Sequence, residues 1–416
     1  MALALGRAAV AVLGGPRWLI GADTRASGPM LVAALAAGLA SAGADVDDLG
    51  VVPTPAVAHL ASVLGCPAAV VSASHNPWTD NGIKLLAAGG RKLSDEVEAA
   101  ISENMTRTLP GGASVGTITR HPAPLDAYAQ HVTGALEGRR LDGCSVVVDC
   151  ANGAASVVAP QVLRALGATV TVLAGAPDGT NINDGCGSTF PSALQEAVVA
   201  AGADAGLALD GDADRVLAVG EDGSLVDGDR IMAICAADLS RRGRLAGNRV
   251  AVTVMSNLGL RIALEAIGIG VVETPVGDRN LLTAMAAEGL VLGGEQSGHV
   301  IFSDLATTGD GLLTGVLLLD AVARSGQSLA SVAGSAMEQF PQVLRNVPAP
   351  RAVADAPGVV AAAEAAAAEL GTAGRILVRP SGTEPVVRVM VEAPTLAAAE
   401  GIADRIVAVI AEAASA

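Results

Sequence analysis

The hydrophobic periodicity of this chain alternates between strand-like and helix-like segments, and the same order of five segments occurs three times. Such βαβαβ units form open sheets whose parallel strands are joined by right-handed crossovers. No stretch is literally repeated, so only the architecture recurs. The segments are WLIGAD (18–23), helix 29–43, VDDLGVV, helix 55–65 and AAVVSASH; SVVVDC, helix 159–167, TVTVLA, helix 192–202 and AGLALDGD; and RVAVTVMS, helix 259–267, GVVETPV, helix 280–289 and LVLGGEQSG.

The C-terminal segment follows a different pattern. A helix over 358–370, a hairpin in RILVRPSGTEPVVRVMVEA and a closing helix predict a small α+β domain, and the Pro-rich stretch 347–357 predicts its linker. The sequence therefore predicts an α/β protein with three βαβαβ mixed-sheet domains and a C-terminal α+β domain around a central cleft. The predicted domains are 1–140, 141–243, 244–346 and 347–416.

Composition excludes several classes of protein. The net charge is −16 and only six residues are aromatic (two Trp, one Tyr, three Phe), whereas a nucleic-acid surface needs a basic face and stacking rings. No apolar run reaches the roughly 18 residues of a membrane span, and the N-terminal MALALGRAAVAVLGG, interrupted by Arg7, predicts a helix rather than a signal peptide. The five cysteines lack CxxC spacing and are typical of buried thiols. We expect a cytoplasmic protein that binds neither nucleic acid nor membranes, and the sequence leaves its oligomeric state open.

The SASHNP turn places Ser74 at the end of the apolar strand 68–71. An exposed hydroxyl held there is typical of a covalent nucleophile, with His75 beside it as a proton carrier or phosphate donor. A serine-rich turn without function is the alternative. A hydrolase elbow is excluded, because Ser72 and Asn76 stand where it needs glycine. Adjacent residues direct their side chains apart, so we do not expect Ser74 and His75 to form a nucleophile–base pair.

Three polar clusters, SASHNP, DGDADR and GEQSGH, each follow the third strand of their unit. Ligands of open α/β sheets bind at the carboxyl ends of the strands, so these loops are expected to line one shared cleft. A fourth polar turn, RPSGTEP, lies in the terminal domain. GADTRASG and TPVGDRN are Gly-containing loops with one arginine each, and we expect them, including Arg279, to form walls of the cleft.

The DGDADR cluster places the carboxylates of Asp210, Asp212 and Asp214 at alternate positions. Three hard oxygen ligands so close together predict Mg²⁺ or Ca²⁺, because unpaired anions would repel one another. An EF-hand loop is excluded by Arg215, which stands where that loop needs glycine. A magnesium site leaves room for a phosphate oxygen that Arg215 could contact. A solvated acidic loop is the alternative.

The RPSGTEP turn combines a guanidinium, two hydroxyls and several backbone N–H groups. Arg379, Ser381 and Thr383 therefore predict a phosphate-binding nest, to which Arg388 on the next strand adds a second contact. A plain hairpin turn is the alternative.

The remaining polar residues suit a sugar and a proton transfer. Glu295 and Ser297 in GEQSGH suit sugar hydroxyls or an amine, while His299 is either structural or a ligand contact. The chain has only two lysines, Lys84 and Lys92, among its 26 basic residues. Because lysine can lose its proton and arginine cannot, Lys84 in DNGIK is a candidate general acid or base, with a phosphate counter-ion as the alternative.

On these motifs the chain resembles the α-D-phosphohexomutases, and within them the bacterial members that act on glucosamine phosphates. Gln296 in GEQSGH, together with NINDGCGST, is similar to the glucosamine branch rather than to the mannose and glucose branch. The family implies four domains around a central cleft. The resemblance extends over nearly the whole chain through DTRASG, SASHNP with DNGIK, GTNINDGCGST, DGDADR, VMSNLGL, VGDR, GEQSGH with TTGDGLLT, and RPSGTEP.

The resemblance also implies a role for each site residue. Ser74 would be the phosphoserine, and one Mg²⁺ would be held by the Ser74 phosphate and the three aspartates. Lys84 and His75 are catalytic candidates from their own chemistry, and which of them moves protons stays open. The sugar would be bound by Glu295 and Ser297, and its distal phosphate by Arg379, Ser381, Gly382 and Thr383. Arg388, Arg215 and Arg279 are further substrate contacts that we predict from their positions in the motifs.

The implied reaction interconverts glucosamine 6-phosphate and glucosamine 1-phosphate through glucosamine 1,6-bisphosphate, which feeds the synthesis of UDP-N-acetylglucosamine and cell wall. Phospho-Ser74 gives up its phosphoryl group, the intermediate turns over, and Ser74 takes back the other phosphate. Two alternatives stay open: a phosphomannomutase/phosphoglucomutase, and a phosphosugar-binding homologue without turnover.

The sequence departs from the family pattern at a few places. The family opens with a strand and a GTDGxRG loop that this sequence does not contain, and we expect the natural start to lie further upstream. Phe190 and Ser192 replace the usual His and Glu after NINDGCGST, and Asn280 replaces the usual Tyr after VGDR. None of these departures falls on a proposed ligand.

Overall fold

The computed structural model describes residues 1–107, 114–381 and 385–415, and these residues divide into two units. The larger unit comprises 1–255 and 268–336, and the smaller one comprises 256–267 and 337–416. In the residues described, no helix is both long enough and apolar enough to span a bilayer.

The first sheet of the larger unit is built from the N-terminal elements. Its order is β5-β4-β3-β1-β2-β6, in which β3, β1, β2 and β6 are parallel while β4 and β5 are antiparallel. Trp18 and Ile20 of β1 are buried with Leu35 and Leu39 of α2, since a strand covered by helices needs apolar side chains. The elements are α1 (Ala2–Leu13), β1 (Arg17–Ala22), α2 (Gly28–Ser41), β2 (Asp45–Val51), α3 (Thr54–Leu64), β3 (Ala68–Val71), β4 (Ile83–Ala87), β5 (Arg91–Lys92), α4 (Asp95–Met105), β6 (Ile118–Arg120) and α5 (Asp126–Gly134).

The second sheet has the order β11-β10-β9-β7-β8. Strands β8, β7 and β9 are parallel, and β10 and β11 are antiparallel. Its elements are β7 (Ser145–Asp149), α6 (Val158–Ala165), β8 (Thr169–Leu173), α7 (Ser192–Ala201), β9 (Ala205–Leu209), β10 (Val216–Gly220), β11 (Leu225–Val226) and α8 (Gly228–Arg241).

The third sheet has the order β13-β12-β14-β15, with β15 antiparallel. Its elements in chain order are β12 (Arg249–Thr253), α9 (Leu258–Ala266), β13 (Gly270–Thr274), α10 (Asp278–Glu288), β14 (Leu292–Gly294), β15 (Val300–Phe302), α11 (Gly311–Ser325) and α12 (Leu329–Ala336). Helix α9 belongs to the smaller unit.

The three sheets share one topological feature that places the polar clusters. In each, the third parallel strand is followed by an antiparallel strand, as β3 is by β4, β9 by β10 and β14 by β15. The connections are residues 72–82, 210–215 and 295–299, which contain SASHNP, DGDADR and GEQSGH. The predicted α/β class with mixed sheets is confirmed.

The smaller unit contains an antiparallel sheet covered by helices. Its order is β16-β18-β17, and Val359, Val389 and Ile406 lie in its core. The linker predicted over 347–357 is wrong, because Val347 and Pro348 end a strand paired with β18. Strand β16 is an edge strand, where proline is tolerated. The elements besides α9 are β16 (Gln342–Pro348), α13 (Pro357–Leu370), β17 (Arg375–Pro380), β18 (Val386–Glu392) and α14 (Leu396–Ser415).

Candidate active site

Ser74 lies in the turn that follows the fully buried strand β3. Its φ is 51°, so this residue adopts the left-handed conformation that residues other than glycine rarely take. Its exposed fraction is 8 %, and the predicted exposed hydroxyl is therefore wrong. The Ser74 Oγ instead donates to Asp210 Oδ2 at 2.6 Å, which joins the serine to the aspartate cluster of the second sheet.

His75 lies closer to the serine than the sequence suggests. Its Nδ1 is 3.4 Å from Ser74 Oγ, so the predicted divergence of the two side chains is wrong. That prediction assumes ordinary extended backbone, whereas the positive φ of Ser74 turns the chain sharply at this point. Burial, followed by the charge of Arg215, lowers the pKa of His75.

The three aspartates of DGDADR converge after β9. Asp210 and Asp212 are fully buried, Asp214 is 7 % exposed, and one carboxylate oxygen from each lies within 4.8 Å of the others. Asp212 Oδ1 and Asp214 Oδ1 are buried and accept no hydrogen bond from the residues that the structure describes. Buried carboxylate oxygens are normally satisfied, so this donor set fits a hard divalent cation such as Mg²⁺.

The aspartate loop, residues 210–215 between β9 and β10, accepts backbone hydrogen bonds from three other segments of the chain. The carbonyl of Gly211 accepts from Ala154 N at 2.8 Å, that of Asp212 from Thr54 N at 3.0 Å, and that of Ala213 from Gly311 N at 3.0 Å. Thr54 begins α3 and Gly311 begins α11, so both donors are N–H groups that a helix leaves without internal partners. Backbone donors from segments that accompany all three sheets therefore hold the one loop that carries the three aspartates.

The charges of the cluster depend on Lys84. Its Nζ donates to Asp212 Oδ2 at 2.6 Å and to Asp214 Oδ2 at 3.3 Å. Burial favours the neutral amine, but the charges of Asp212 and Asp214 outweigh it and raise the pKa of Lys84. Burial, Asp214 and Asp212 raise the pKa of Asp210 well above its usual range, whereas Lys84 overcomes burial and holds the pKa of Asp214 well below its own. Lys84 thus partly neutralises Asp212 and Asp214, the two carboxylates that it contacts.

Arg215 and His299 complete the surroundings of the aspartates. Arg215 Nε lies 3.8 Å from Asp214 Oδ1; it is buried and donates to no acceptor among the described residues. His299 is 2 % exposed, and its Nε2 accepts from Gly309 N at 3.2 Å, which leaves the proton on Nδ1. That Nδ1 faces Asp214 Oδ1 at 3.8 Å, too far for a hydrogen bond. Of the two interpretations of His299, the geometry favours the structural one.

The GEQSGH loop presents Glu295 and Ser297 beside each other. Glu295 Oε2 lies 3.4 Å from Ser297 Oγ, while Oε1 accepts from Gly277 N at 3.3 Å. Ser297 is exposed and Glu295 is half-buried, so both can reach a ligand. The loop is joined to the second sheet, because Gly298 O accepts from Val216 N at 3.0 Å.

Arg279 is engaged by the first sheet's helix α4. It forms ion pairs with Asp95 and Glu98, and its Nη2 lies 2.6 Å from Glu98 Oε1. The neighbouring Asp278 pairs with Lys92, the second lysine of the chain. These residues line a cavity of about 700 Å³ that Lys84 and Asp214 also border. Arg279 therefore lies on a wall of the same cavity as predicted cluster residues, although its charge is already paired.

The predicted phosphate nest belongs to the smaller unit. Arg379 and Arg388 are paired directly across β17 and β18, and Ser381 is 2 % exposed with its N–H donating to Val386 O at 2.9 Å. Burial and the charge of Arg388 lower the pKa of Arg379. Two guanidinium groups opposite one another suit an anion. Gly382 and Thr383 lie outside the described residues.

No sequence pattern singles out Arg25 or Asn183, yet both contact the serine loop, which is the β3–β4 connection of residues 72–82. Arg25, in GADTRASG, is 1 % exposed and donates to Ser74 O at 2.9 Å. Asn183, in NINDGCGST, donates to the same oxygen at 2.9 Å from the second sheet. A fully buried arginine signals a demanding set of acceptors, but a sequence does not reveal the burial.

Models of known protein families match four successive ranges of this chain. Models described as phosphoglucomutase/phosphomannomutase match the alpha/beta/alpha domains I, II and III and the C-terminal domain. The matched residues are 1–110, 126–223, 227–340 and 344–409.

Individual relatives match along nearly the whole chain. The chain is 54 % identical to a phosphoglucosamine mutase of Frankia alni, with 98 % of this chain and 93 % of the relative covered. It is 54 % identical to a phosphoglucosamine mutase of Thermobifida fusca, with coverages of 95 % and 89 %. Among solved structures, a phosphoglucomutase/phosphomannomutase family protein of Burkholderia thailandensis superposes with a TM-score of 0.85 at 28 % identity, covering 99 % of this chain and 93 % of that one.

Proposed function

The chain belongs to the phosphoglucomutase/phosphomannomutase family, and on that premise we propose that it interconverts glucosamine 6-phosphate and glucosamine 1-phosphate through phospho-Ser74. The resemblance to the α-D-phosphohexomutases is thereby confirmed, and the chain is a phosphohexomutase of the isomerase class. Its relatives named phosphoglucosamine mutase favour the glucosamine substrate over mannose or glucose phosphates.

The observation that carries the proposal is the hydrogen bond from Ser74 Oγ to Asp210 Oδ2. It joins a nucleophilic oxygen to one member of a cluster of three carboxylates, two of which Lys84 contacts. A hydrolytic serine needs a general base and donors for an oxyanion. A serine beside carboxylates and an ammonium group is suited to carry a phosphoryl group. The ammonium group and a cation held by the carboxylates would neutralise the negative charge of that group.

We assign Asp210, Asp212 and Asp214, with an oxygen of the Ser74 phosphate, to one Mg²⁺. When bound, such an ion supplies charge neutralisation for the phosphoryl group that moves. Lys84 keeps its positive charge between two of the carboxylates and so contributes a second fixed cation. Arg215 contributes a third, since its Nε donates to no other described residue.

The proposed cycle moves one phosphoryl group at a time. In the first step a sugar hydroxyl attacks phospho-Ser74, the Oγ–P bond breaks and a sugar O–P bond forms, which yields glucosamine 1,6-bisphosphate and free Ser74. The proton that the sugar hydroxyl loses ends on the departing Ser74 Oγ. His75, whose Nδ1 lies 3.4 Å from that oxygen, is the group we assign to carry it, because Lys84 is already protonated. In the second step Ser74 Oγ gives up its proton and attacks the other phosphate. A new Oγ–P bond forms, the sugar O–P bond breaks, and the proton passes to the sugar oxygen that is released. Atoms and charge balance over the two steps, and the serine ends phosphorylated again.

The groups that bind the substrate follow from their chemistry. Glu295 accepts hydrogen bonds from sugar hydroxyls or from the amine, and Ser297 can donate to the sugar. Arg379 and Arg388, with Ser381, Gly382 and Thr383, are assigned to a phosphate of the substrate. We assign Arg279 to the cavity wall on the substrate side.

The test measures turnover of glucosamine 1-phosphate with a bisphosphate primer, and records the intact mass of the protein. Ser74→Ala should abolish both turnover and the phosphoserine mass shift, whereas Ser335→Ala, an exposed helical serine, should change neither. Turnover that survives in Ser74→Ala would remove the covalent role. A strong preference for mannose 1-phosphate would overturn the substrate assignment.

A further inference from the structure

The fully buried guanidinium group of Arg25 donates hydrogen bonds to carbonyl oxygens of the serine loop. Arg25 Nη2 donates to Ser74 O at 2.9 Å and to Asn76 O at 2.8 Å, and Nη1 donates to Asp80 O at 2.9 Å and to Pro77 O. The side chain of Arg25 has no exposed surface. Arginine differs from lysine in offering five N–H donors in a rigid planar arrangement. In Arg25 nearly all of these donors bond carbonyl oxygens of the serine loop.

The same carbonyls receive a second donor from a different sheet. Asn183 Nδ2 donates to Ser74 O at 2.9 Å and to Asn76 O at 3.0 Å. Its Oδ1 is buried and accepts no hydrogen bond from the described residues, so the amide acts here only as a donor. The Asn183 backbone is itself fixed, since its N–H donates to Ala151 O at 2.9 Å.

The guanidinium group is in turn fixed by a buried carboxylate. Arg25 Nε donates to Asp23 Oδ2 at 2.8 Å, and Ser72 Oγ donates to the same oxygen at 2.6 Å. Ser74 N donates to Ser72 Oγ at 2.9 Å. The N–H and the carbonyl of Ser74 are thus both tied to one Asp23–Arg25 ion pair.

We propose that Arg25 and Asn183 form a carbonyl clamp that holds Ser74 in its left-handed conformation, so that Oγ and the phosphoryl group it carries stay aligned with the aspartates in both transfer steps. The inference rests on the proposed function. A serine that both gives and accepts a phosphoryl group must return to the same place each time, and a residue at positive φ keeps that conformation only where its surroundings enforce it. Arg25 and Asn183 are positioning residues, because they touch the loop backbone and not the reacting atoms.

Asn183 is the better residue to test, since removing Arg25 would leave a buried Asp23 charge unpaired and could unfold the protein. Asn183→Ala removes both donors, and Asn183→Asp replaces them by oxygens that repel the carbonyls. Asn181→Ala is the matched control. Asn181 lies in the same loop, and among the described residues its side chain bonds only Asp178 N and Ala176 O. Arg25→Lys, which keeps the charge but loses the fork, is the second variant.

Steady-state kinetics of the full chain, with glucose 1,6-bisphosphate as primer, give the first readout. A displaced serine should lower kcat about 10- to 100-fold in Asn183→Ala, and further in Asn183→Asp, while KM changes by no more than about twofold. The second readout is the ³¹P resonance of phospho-Ser74, which should broaden or split in both variants and remain single in Asn181→Ala. Thermal unfolding measured in parallel corrects kcat for any unfolded fraction.

The inference is overturned if Asn183→Asp and Arg25→Lys keep the kcat of the unmodified chain. It is equally overturned if Asn181→Ala loses as much kcat as Asn183→Ala, because that result would indicate general loosening of the loop. Failure of the proposed function looks different: the unmodified chain would then neither turn over glucosamine phosphates nor take up a phosphoryl group from the primer.

Discussion

A single methyl group added at Gly211 should disable the site without unfolding the protein. The Cβ of an alanine there would lie 2.6 Å from Ser74 O, 2.7 Å from Ile182 Cδ1 and 2.9 Å from Asn183 Nδ2. Gly211 is not among the glycines with positive φ, so its backbone accepts alanine and the effect is purely steric. The perturbation therefore acts on the contact between the aspartate loop and the serine loop.

The size of the effect follows from that contact. Ordinary van der Waals contact begins at 3.4 Å, so the two loops must separate by the difference from 2.6 Å, about 0.8 Å. A displacement of this order at a reacting atom costs up to about 10²-fold in rate, so we expect Gly211→Ala to lower kcat by about 10- to 100-fold. Overpacking of a buried contact costs about 1–3 kcal/mol, which leaves the protein folded at room temperature.

The assay compares kcat and KM of Gly211→Ala with those of Gly334→Ala, using protein primed with bisphosphate and checked by intact mass. Gly334 lies in α12 and an added Cβ there meets no atom within 4 Å, so this control should keep full activity. KM should change little in either variant, because the three atoms nearest to a Cβ at Gly211 belong to Ser74, Ile182 and Asn183, none of which is assigned to the sugar. A kcat for Gly211→Ala within twofold of the control would refute the reasoning, since it would mean that the separation of the loops does not matter.

Three further changes test other parts of the structure. Tyr128→Phe removes a buried hydrogen bond of 2.7 Å to Asp310, and burial raises the pKa of that carboxyl to about 6. At pH 7.5, where the carboxylate is charged, the free energy of unfolding should fall by about 1.5–3 kcal/mol. The loss should become smaller as the pH falls below about 6, because the carboxyl is then protonated. Denaturant unfolding at pH 7.5 and pH 5 checks this, and a loss independent of pH would contradict it. Asp212→Asn should weaken Mg²⁺ binding about tenfold or more, measured by calorimetry; an unchanged affinity would count against the metal site. Lys84→Met should lower kcat about 10²- to 10³-fold because it removes a fixed cation beside the phosphoryl group, and Lys84→Arg should restore part of the activity if charge alone is needed.

The sequence predicted those parts of the site that depend on residues close together along the chain. Alternating periodicities predict the order of strands and helices, and the clusters that follow the third strands lie in equivalent connections of the three sheets. Alternate carboxylates at Asp210, Asp212 and Asp214 are a pattern in which the residue types themselves carry the chemistry. Such features need no knowledge of distant residues.

The parts that the sequence did not predict depend on contacts between distant residues. The left-handed φ of Ser74 is enforced by Arg25 and Asn183, which lie 49 and 109 positions away along the chain. The approach of His75 to Ser74 Oγ is a consequence of that φ, and so was missed with it. Likewise the sequence predicts that Pro348 lies in a linker, whereas in the structure it is paired with Val386 of β18.

The backbone contacts of the aspartate loop indicate why the residues of this site are easier to predict than their alignment. Three consecutive carbonyls, from Gly211 to Ala213, accept hydrogen bonds from Ala154 in the β7–α6 connection, from Thr54 at the start of α3 and from Gly311 at the start of α11. Every residue except proline offers the same N–H group, so nothing in the sequence marks Thr54, Ala154 or Gly311 as a donor. Side-chain substitutions at the last two positions keep the bond only where the added atoms fit, and a Cβ at Gly311 would come within 2.2 Å of Arg215 O. The aspartates supply the ligands, and it is the packing of backbone against backbone that fixes where those ligands stand relative to Ser74.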